Sequence, residues 1–271
     1  MKSACALWRR RREGGVFMIR VILHGCNGKM GQIVTELCSQ EEEIRIVAGV
    51  DAFQHGTGEY QVYRDIYQCN ITADVVIDFS MAPAVEGLLN YCAERKLPCV
   101  LCTTGLSPEQ LEKVKEASEK TAILRSANMT LGVNLLMKLL KEAVATLAPA
   151  GFDVEILEKH HNQKVDAPSG TAIALADAMN EEMDGAYEYV YDRSWVRQKR
   201  DKKELGISAV RGGTIVGDHD VIFAGMDEVI TFSHRAYSKG VFAKGAIQAA
   251  KYIAGKPAGL YTMSDVIENR E

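Results

Sequence analysis

One short segment of the chain concentrates side chains that can transfer a proton and hold an anion. It reads HHNQKVDAPSGT and spans residues 160–171. His160 and His161 can exchange a proton near neutral pH, and Lys164 adds a positive charge. A metal site is the competing interpretation, but adjacent histidines at a strand end point to opposite sides, and no third His or Cys stands at a ligand spacing. The residue types therefore favour acid–base chemistry on an anionic substrate.

The end of this segment predicts a binding site for a carboxylate. An apolar helical pattern follows it, with inward positions at Ala172, Leu175, Ala176, Met179 and Met183. Ser169, Gly170 and Thr171 would then present backbone N–H groups and hydroxyls at a helix N-terminus, where the helix dipole attracts anions. A capped surface loop with solvated charges is the alternative that composition alone leaves open.

The first regular pattern of the chain indicates a nucleotide-binding turn. The branched apolar run 19–24 is followed by G-x-x-G-x-x-G at 25–31 and then by an amphipathic helical pattern. A second apolar strand, 44–50, ends at Asp51. Glycines let backbone N–H groups approach a pyrophosphate, and an acid at this position can bind the adenosine ribose. A tight turn without a ligand is the alternative, and the placement between strand and helix, ahead of Asp51, favours the nucleotide.

Further strands and helices follow in the same order. Buried strands are predicted at 74–79, 100–102 and 122–124, with helices that begin at Pro83 and Pro108 between them. Parallel strands joined by helices form a doubly wound sheet, which binds ligands beyond the carboxyl ends of its strands. One rim would therefore gather the loops 25–30, 51, 79–80, 102–104 and 127–128.

After Asn134 the pattern changes to that of a second domain. A long helix is predicted, with inward positions at Leu136, Leu139, Leu140, Val144 and Leu147. A strand at 153–158 follows, and shorter strand-like runs separated by turn residues lie at 207–210, 214–216, 220–223 and 228–232. We therefore predict an α/β protein with an N-terminal Rossmann-type doubly wound parallel sheet and a second α+β domain built on an open mixed sheet.

The same patterns predict the domain boundaries. A dinucleotide-binding domain would comprise 18–130 and about 240–271, because a helix from about Val241 to Ile253 returns to it. Residues 131–239 would form the substrate-binding domain. Residues 1–17 contain four consecutive arginines and no strand pattern, so we expect a disordered or artefactual extension there.

Composition excludes several classes of protein. The chain has 36 acidic and 32 basic residues, and this interspersed balance gives no basis for a nucleic-acid partner. No apolar run approaches the roughly 20 residues that a membrane-spanning helix needs. Seven irregularly spaced cysteines favour a reducing compartment, so we expect a cytoplasmic protein. Cys99 and Cys102 are predicted to be buried strand cysteines rather than a redox or metal pair.

Four strings of residues resemble one enzyme family. They are GCNGKMG at 25–31, CTTG at 102–105, ANMTLGVN at 127–134 and EKHHNQKVDAPSGTA at 158–172. Together they closely resemble the dihydrodipicolinate reductase family, the 4-hydroxy-tetrahydrodipicolinate reductases of bacterial lysine biosynthesis. The resemblance runs from Met18 to about the C-terminus. Its specific part is HHxxKxDxPSGT, because the glycine turn is shared by many nucleotide-binding proteins.

The resemblance implies the reduction of 4-hydroxy-tetrahydrodipicolinate to tetrahydrodipicolinate by NADH or NADPH, a step toward lysine and diaminopimelate. It implies His160 as the proton donor and Lys164 as its catalytic partner. The implied substrate contacts are His161, Lys164, Gly170 and Thr171. The implied cofactor contacts are Gly25, Cys26, Asn27, Gly28, Lys29, Met30, Asp51, Cys102, Thr103, Thr104, Ala127, Asn128, Met129 and Thr130. The family is usually a homotetramer joined through its C-terminal sheets, so 131–239 is also the expected oligomerisation domain.

Three positions depart from the common family pattern, and two other classes of protein stay open. Cys102 stands where a glycine is usual, Met129 replaces a frequent phenylalanine, and residues 1–17 have no counterpart. A two-domain dehydrogenase of the aspartate or homoserine type would share the glycine turn but not the HHxxKxDxPSGT string. A non-enzymatic NAD-sensing regulator would bind the cofactor without turning it over.

Overall fold

The computed structural model describes residues 18–53, 59–126 and 128–268. The chain divides into two compact units. The second unit is Leu131–Lys239, and the first comprises the described residues before and after it. The expected extension at 1–17 and the predicted cofactor contact Ala127 lie outside the described residues.

Strands and helices alternate through the first unit, whereas strands predominate in the second. The strands are β1 (Ile19–His24), β2 (Ile44–Val50), β3 (Val62–Tyr63), β4 (Val75–Asp78), β5 (Cys99–Leu101), β6 (Ala122–Arg125), β7 (Asp153–His160), β8 (Glu188–Tyr191), β9 (Glu204–Arg211), β10 (Gly217–Ala224), β11 (Val229–Ala236) and β12 (Gly259–Tyr261). The helices are α1 (Lys29–Ser39), α2 (Ala82–Arg95), α3 (Pro108–Ser118), α4 (Leu131–Leu147), α5 (Gly170–Glu182), α6 (Gly240–Ile253) and α7 (Met263–Glu268).

The first unit is built on a seven-stranded parallel sheet in the order β12-β6-β5-β4-β1-β2-β3. The order reverses at β1, as in a doubly wound sheet. All four residues of β4 are buried, which explains why the first three residues of this central strand are branched and apolar, and Asp78 is the polar residue at its end. Helix α3 begins with a capping box in which Ser107 and Gln110 satisfy each other's backbone N–H groups, and Pro108 fixes its first turn.

The second unit is built on a five-stranded mixed sheet in the order β11-β10-β7-β9-β8. β10 runs antiparallel to both of its neighbours, whereas β7, β9 and β8 are parallel. Along β7 the buried positions alternate with half-buried ones, so Val154, Ile156, Glu158 and His160 share one face. The two apolar members of this face pack in a core with residues of α4 and α5. Glu158 and His160 therefore lie side by side where that core ends.

The structure confirms the predicted fold class and corrects details of both units. The predicted strand 214–216 is wrong, because these residues form the turn and loop between β9 and β10. Leu139 was expected to face inward on α4 but is 41% exposed. β3 and β12 escaped prediction because they are two and three residues long, too short for a periodic pattern. Within the described ranges, no helix combines the length and apolar character that crossing a membrane requires.

Candidate active site

The predicted cofactor residues of the first unit lie at one rim of its sheet. Residues 25–30 follow β1, Asp51 follows β2, and 102–104 follow β5. Residues 128–130 follow β6. Because these strands are parallel members of one sheet, their carboxyl ends and the loops that follow them share an edge.

The glycines of the turn after β1 allow the backbone to pack too closely for side chains. Gly25 has a φ of +78°, and a Cβ there would lie 2.6 Å from the carbonyl oxygen of Phe79. A Cβ at Gly31 would collide with the carbonyl oxygens of Gly25 and Cys26. Gly28 caps helix α1 without a side-chain hydrogen bond, so the first N–H groups of this helix have no capping side chain. These features fit a nucleotide phosphate at the start of α1.

Asp51 is held against this turn by two backbone donors. Its Oδ2 accepts a hydrogen bond from the N–H of Asn27 at 3.0 Å, and its Oδ1 accepts one from the N–H of Phe53 at 3.0 Å. The side-chain amide of Asn27 also donates a hydrogen bond to the backbone carbonyl of Phe53. The carboxylate is thereby fixed beside the glycine turn, where an acid contacts the adenosine ribose in this class of sheet.

The later rim residues are ordered by internal contacts. Thr103 is buried and donates its hydroxyl hydrogen to Asp78 Oδ2 at 2.6 Å. Thr130 donates its N–H to Asn128 Oδ1 at 2.8 Å. Met129 is buried, and a Cβ at Gly245 of α6 would collide with its carbonyl oxygen. Helix α6 therefore packs directly on the loop after β6, although it comes more than 100 residues later in the chain.

In the second unit one carboxylate joins the predicted acid to the predicted anion site. Glu158 is fully buried, and its Oε2 lies 2.6 Å from Nδ1 of His160. Its Oε1 accepts a hydrogen bond from the N–H of Ser169 at 3.0 Å, at the cap of α5. Arg211 donates to both carboxylate oxygens, at 2.8 and 2.7 Å. Glu158 thus connects β7, β9 and the N-terminus of α5.

The contact through Nδ1 leaves the other ring nitrogen of His160 available. A hydrogen on Nδ1 is donated to Glu158, and Nε2 points toward the start of β10. An ideal Cβ on Gly217 would lie 3.0 Å from Nε2. A side chain at 217 would therefore crowd the ring nitrogen that can serve as the acid.

Ser169 and His219 complete this buried cluster. Ser169 Oγ accepts a hydrogen bond from the N–H of Ala172 at 3.1 Å and lies 2.9 Å from Nε2 of His219. Burial, reinforced by the nearby His160, lowers the pKa of His219 to about 4, so its ring is neutral at pH 7 and can accept the hydroxyl hydrogen. The ring of His219 meets that of His160 edge to face, with 5.1 Å between centroids. The predicted site residue Ser169 is thus engaged by internal partners.

The loop between β7 and α5 carries the positive charge of Lys164 and ends at the N-terminus of α5, the positive end of the helix dipole. The Lys164 ammonium pairs with Asp166 Oδ1 at 2.7 Å, and this hydrogen bond helps to hold the pKa of Asp166 below its ordinary value. The backbone N–H of Gly170 also interacts with this carboxylate. Nδ1 of His161 is buried without a hydrogen-bond partner. An external carboxylate would meet the same donors that Asp166 uses.

The sequence analysis assigned no role to four residues that shape the candidate site, Glu158, Arg211, His219 and Asp78. Glu158, Arg211 and His219 come from three strands, and strand register alone brings them together: Glu158 pairs with His219, and His160 with Arg211. A polar residue two positions before His160 on an otherwise apolar face was the one signal available for Glu158. Asp78 in the first unit gave a similar signal at the end of an apolar strand. Among the described residues, no group of three or more His, Cys, Asp and Glu side chains is placed to hold a metal ion.

Glu158 makes the stability of the second unit depend on pH. Burial acts to raise the pKa of Glu158, but hydrogen bonds from Arg211, His160 and Ser169 outweigh burial and hold the pKa below its ordinary value. A carboxylate with a lowered folded pKa stabilises the fold above its unfolded pKa, about 4.3, and this contribution is lost as the pH falls through the folded pKa.

We predict that Glu158→Gln lowers the free energy of unfolding by about 3 kcal/mol at pH 7, because Arg211 loses the charge of its buried partner. The difference from the parent should shrink as the pH is lowered below about 4. Urea unfolding followed by circular dichroism measures both values. Glu155→Gln on the same strand is the control, since Glu155 pairs with Arg200 on the more exposed face and its loss should cost about 1 kcal/mol or less. An equal loss of unfolding free energy for Glu158→Gln at pH 7 and pH 3 would contradict the view that the charge of Glu158 stabilises the fold.

The first unit is a Rossmann-type sheet whose glycine turn fits a nucleotide phosphate, and the second unit carries a buried histidine–carboxylate contact. These features are typical of a nucleotide-dependent oxidoreductase. Family comparison makes the class specific. Residues 19–129 match the family model described as dihydrodipicolinate reductase, N-terminus, and residues 132–267 match that described as dihydrodipicolinate reductase, C-terminus. The chain belongs to the dihydrodipicolinate reductase family.

Individual relatives agree with this assignment. A protein of Caldanaerobacter subterraneus subsp. tengcongensis, named 4-hydroxy-tetrahydrodipicolinate reductase, is 53% identical over 93% of this chain and 99% of its own length. A protein of the same name from Clostridium tetani is 48% identical over 93% and 98%. The dipicolinate-bound dihydrodipicolinate reductase of Paenisporosarcina sp. TG-14 has 26% identity and a TM-score of 0.77, and the match covers 91% of this chain and 98% of that one.

These findings confirm the resemblance that the motifs indicated. The chain is an oxidoreductase of lysine and diaminopimelate biosynthesis that uses NADH or NADPH. The two alternative classes, another two-domain dehydrogenase and a non-enzymatic regulator, are thereby set aside. The roles of the individual site residues stay predictions.

Proposed function

We propose that the chain reduces 4-hydroxy-tetrahydrodipicolinate to tetrahydrodipicolinate, with His160 as the acid and with Lys164 and the start of α5 as the carboxylate anchors. The observation that carries these residue roles is the Glu158 cluster, which ties the imidazole of His160 and the N-terminus of α5 to one buried carboxylate. Acid and anchor therefore keep a fixed geometry. In the overall reaction a hydride and a proton are consumed and water leaves with the product.

Different residues of the second unit protonate the substrate and bind its carboxylates. The bound nicotinamide supplies the hydride. His160 gives the proton from Nε2 to the ring carbon beside the one that receives the hydride, and Glu158 holds the imidazole in place through Nδ1. Lys164 and the N–H groups of Gly170 and Thr171 hold the two carboxylates, with His161 at the edge of the same loop. Ser169 contributes by capping the helix that presents those N–H groups.

Turnover of the freshly condensed substrate tests this proposal. Pyruvate and aspartate semialdehyde are mixed to form the cyclic dicarboxylate, the purified protein and NADH are added, and absorbance of the reduced nicotinamide is followed. Loss of absorbance should require protein, pyruvate and aspartate semialdehyde together. Constant absorbance with folded, NADH-binding protein would overturn the proposed substrate.

NADH should be preferred over NADPH. Asp51, fixed beside the glycine turn, can accept hydrogen bonds from both ribose hydroxyls, whereas a 2′-phosphate there would meet a like charge. The next two residues, Ala52 and Phe53, carry no cation to neutralise the phosphate charge, and Lys29 is the one cation within the glycine turn 25–31. We expect kcat/KM for NADH to exceed that for NADPH by about tenfold, the effect of about 1.4 kcal/mol. A clear advantage for NADPH in side-by-side kinetics would contradict this role of Asp51.

The chain is expected to form a homotetramer through the sheet of the second unit, in the cytoplasm. β11 is an edge strand of that sheet, with Val229 62% exposed and Ile230 next to it also exposed. An unpaired apolar edge favours association with another copy. The six cysteines in the described part of the chain are free, which suits a reducing compartment. Light scattering coupled to size-exclusion chromatography should give four times the chain mass, and a stable monomer would contradict the prediction.

A further inference from the structure

A buried polar cluster in the first unit takes no part in the proposed chemistry. Asp78, the last residue of β4, is fully buried, and its Oδ1 lies 2.8 Å from Nδ1 of His24, the last residue of β1. Thr103, just after β5, donates its hydroxyl hydrogen to Asp78 Oδ2 at 2.6 Å. β4 lies between β1 and β5 in the sheet, so Asp78 bridges the ends of both neighbours.

Backbone contacts extend this cluster into the loops of the cofactor rim. The N–H of Ser80 donates to Asp78 Oδ1 at 3.2 Å, and the N–H of Cys102 donates to the Asp78 carbonyl at 3.0 Å. The N–H of Phe79 donates to the carbonyl of His24 at 2.9 Å. The Phe79 carbonyl is also the atom that a Cβ at Gly25 would strike. The glycine turn, the loop after β4 and the loop after β5 therefore meet around one carboxylate.

A fully buried carboxylate is costly unless donors surround it, and here each donor comes from a segment that the cofactor must contact or adjoin. His24 immediately precedes the glycine turn, and Thr103 is itself a predicted cofactor contact. Loss of the Asp78 charge would leave these donors without an anionic acceptor and would free the two loops to separate. If the cluster were purely structural, its loss would lower stability without changing cofactor affinity.

We propose that Asp78 is a positioning residue for the nicotinamide nucleotide, acting through His24 and Thr103 to fix the glycine turn and the loop after β5 in their binding conformation. The proposal rests on the proposed cofactor rim. Asp78 itself stays buried beneath the loops and does not need to touch the cofactor. Because the loops are already ordered, binding of the nucleotide does not cost the entropy of ordering them. Asp78 should therefore control the affinity for the nucleotide.

Asp78→Asn, with Asp74→Asn as its matched control, tests this role. Asp74 precedes the other end of β4 and pairs with Arg20 of β1 at 2.9 Å, so it joins the same two strands away from the rim. NADH affinity is measured by fluorescence titration, dipicolinate affinity by calorimetry, and stability by thermal unfolding. Asp78→Asn should raise the Kd for NADH by about tenfold or more, the loss expected for charge-assisted hydrogen bonds that order a site. Asp74→Asn should leave that Kd within about twofold.

Single-donor variants keep the test decisive if Asp78→Asn fails to fold. Thr103→Val and His24→Ala should each raise the Kd for NADH, and in a folded Asp78→Asn background His24→Ala should add little, because both changes remove the His24–Asp78 contact. Affinity for dipicolinate, a ring dicarboxylate used here as a substrate mimic, should stay at the parental value in every variant, since the proposed carboxylate anchors belong to the second unit. An unchanged Kd for NADH in folded Asp78→Asn, or in both single-donor variants, would overturn the proposal. Failure of the parent protein to bind NADH would instead refute the cofactor rim itself.

Discussion

Replacing His160 by alanine should lower kcat by about 10² to 10⁴, with a smaller change in the KM for the dicarboxylate substrate. The physical reason is the geometry of the ring. Glu158 holds Nδ1 at 2.6 Å, and Gly217 leaves room at Nε2, so one nitrogen is anchored and the other can give a proton. A positioned acid contributes to the transition state more than to ground-state binding, so its removal should reduce kcat first.

His161→Ala is the matched control for this variant, because it removes an imidazole from the adjacent position. It should raise the substrate KM while leaving most of kcat. NADH affinity, measured by fluorescence titration, should be unchanged in both variants because the rim residues belong to the first unit. Near-normal turnover by folded His160→Ala protein would remove His160 as the acid, and His161 would become the next candidate.

The Rossmann-type sheet was predictable because local sequence patterns determine most of it. β1 and β2 were predicted at 19–24 and 44–50, the bounds that the structure has. Each is a branched apolar run that ends at a polar residue or a glycine turn, so propensity, burial and turn chemistry agree. α3 was predicted from Pro108, where the capping box of Ser107 and Gln110 adds a local signal.

The interior of the candidate site was less predictable, because it depends on strand register. The HHxxKxDxPSGT string placed His160, Lys164 and the start of α5 in one segment. It did not indicate that Arg211, 51 residues beyond His160, would pair with it in the β7–β9 ladder and reach Glu158. Register between distant strands is set by packing of whole faces, and no local pattern in a single sequence specifies it. For the same reason the sequence placed Asp78 in a buried strand and Thr103 on the rim, and it did not indicate that the two are partners.

Cys102 shows how a departure from the family pattern can be accommodated. It stands where a glycine is usual, and burial together with the nearby Asp78 raises the pKa of its thiol, which therefore stays neutral. The backbone N–H of Cys102 donates to the carbonyl of Asp78, a contact that needs no particular side chain. This backbone contact ties the loop after β5 to β4, so the departure is compatible with the proposed cofactor contact.

Replacing Lys164 by alanine should lower kcat and raise the substrate KM, with a loss in kcat/KM on the order of 10³-fold. A charge-assisted contact to a carboxylate is worth about 1.5 to 3 kcal/mol in binding, and further stabilisation is lost if charge builds up in the transition state. The substrate KM should therefore rise by about tenfold or more while kcat also falls. This combination separates Lys164 from His160, whose loss should act mainly on kcat.

Two further variants show whether the Lys164 charge is what matters. Lys164→Arg keeps the charge but changes the donor geometry. Compared with Lys164→Ala, it should restore part of the substrate affinity but little of kcat. Asp166→Asn removes the internal carboxylate that pairs with the Lys164 ammonium at 2.7 Å and interacts with the N–H of Gly170. If an external carboxylate competes for these donors, Asp166→Asn should bind dipicolinate more tightly than the parent. A parental KM in folded Lys164→Ala protein would contradict the anchor, because no lost carboxylate contact could then be assigned to Lys164.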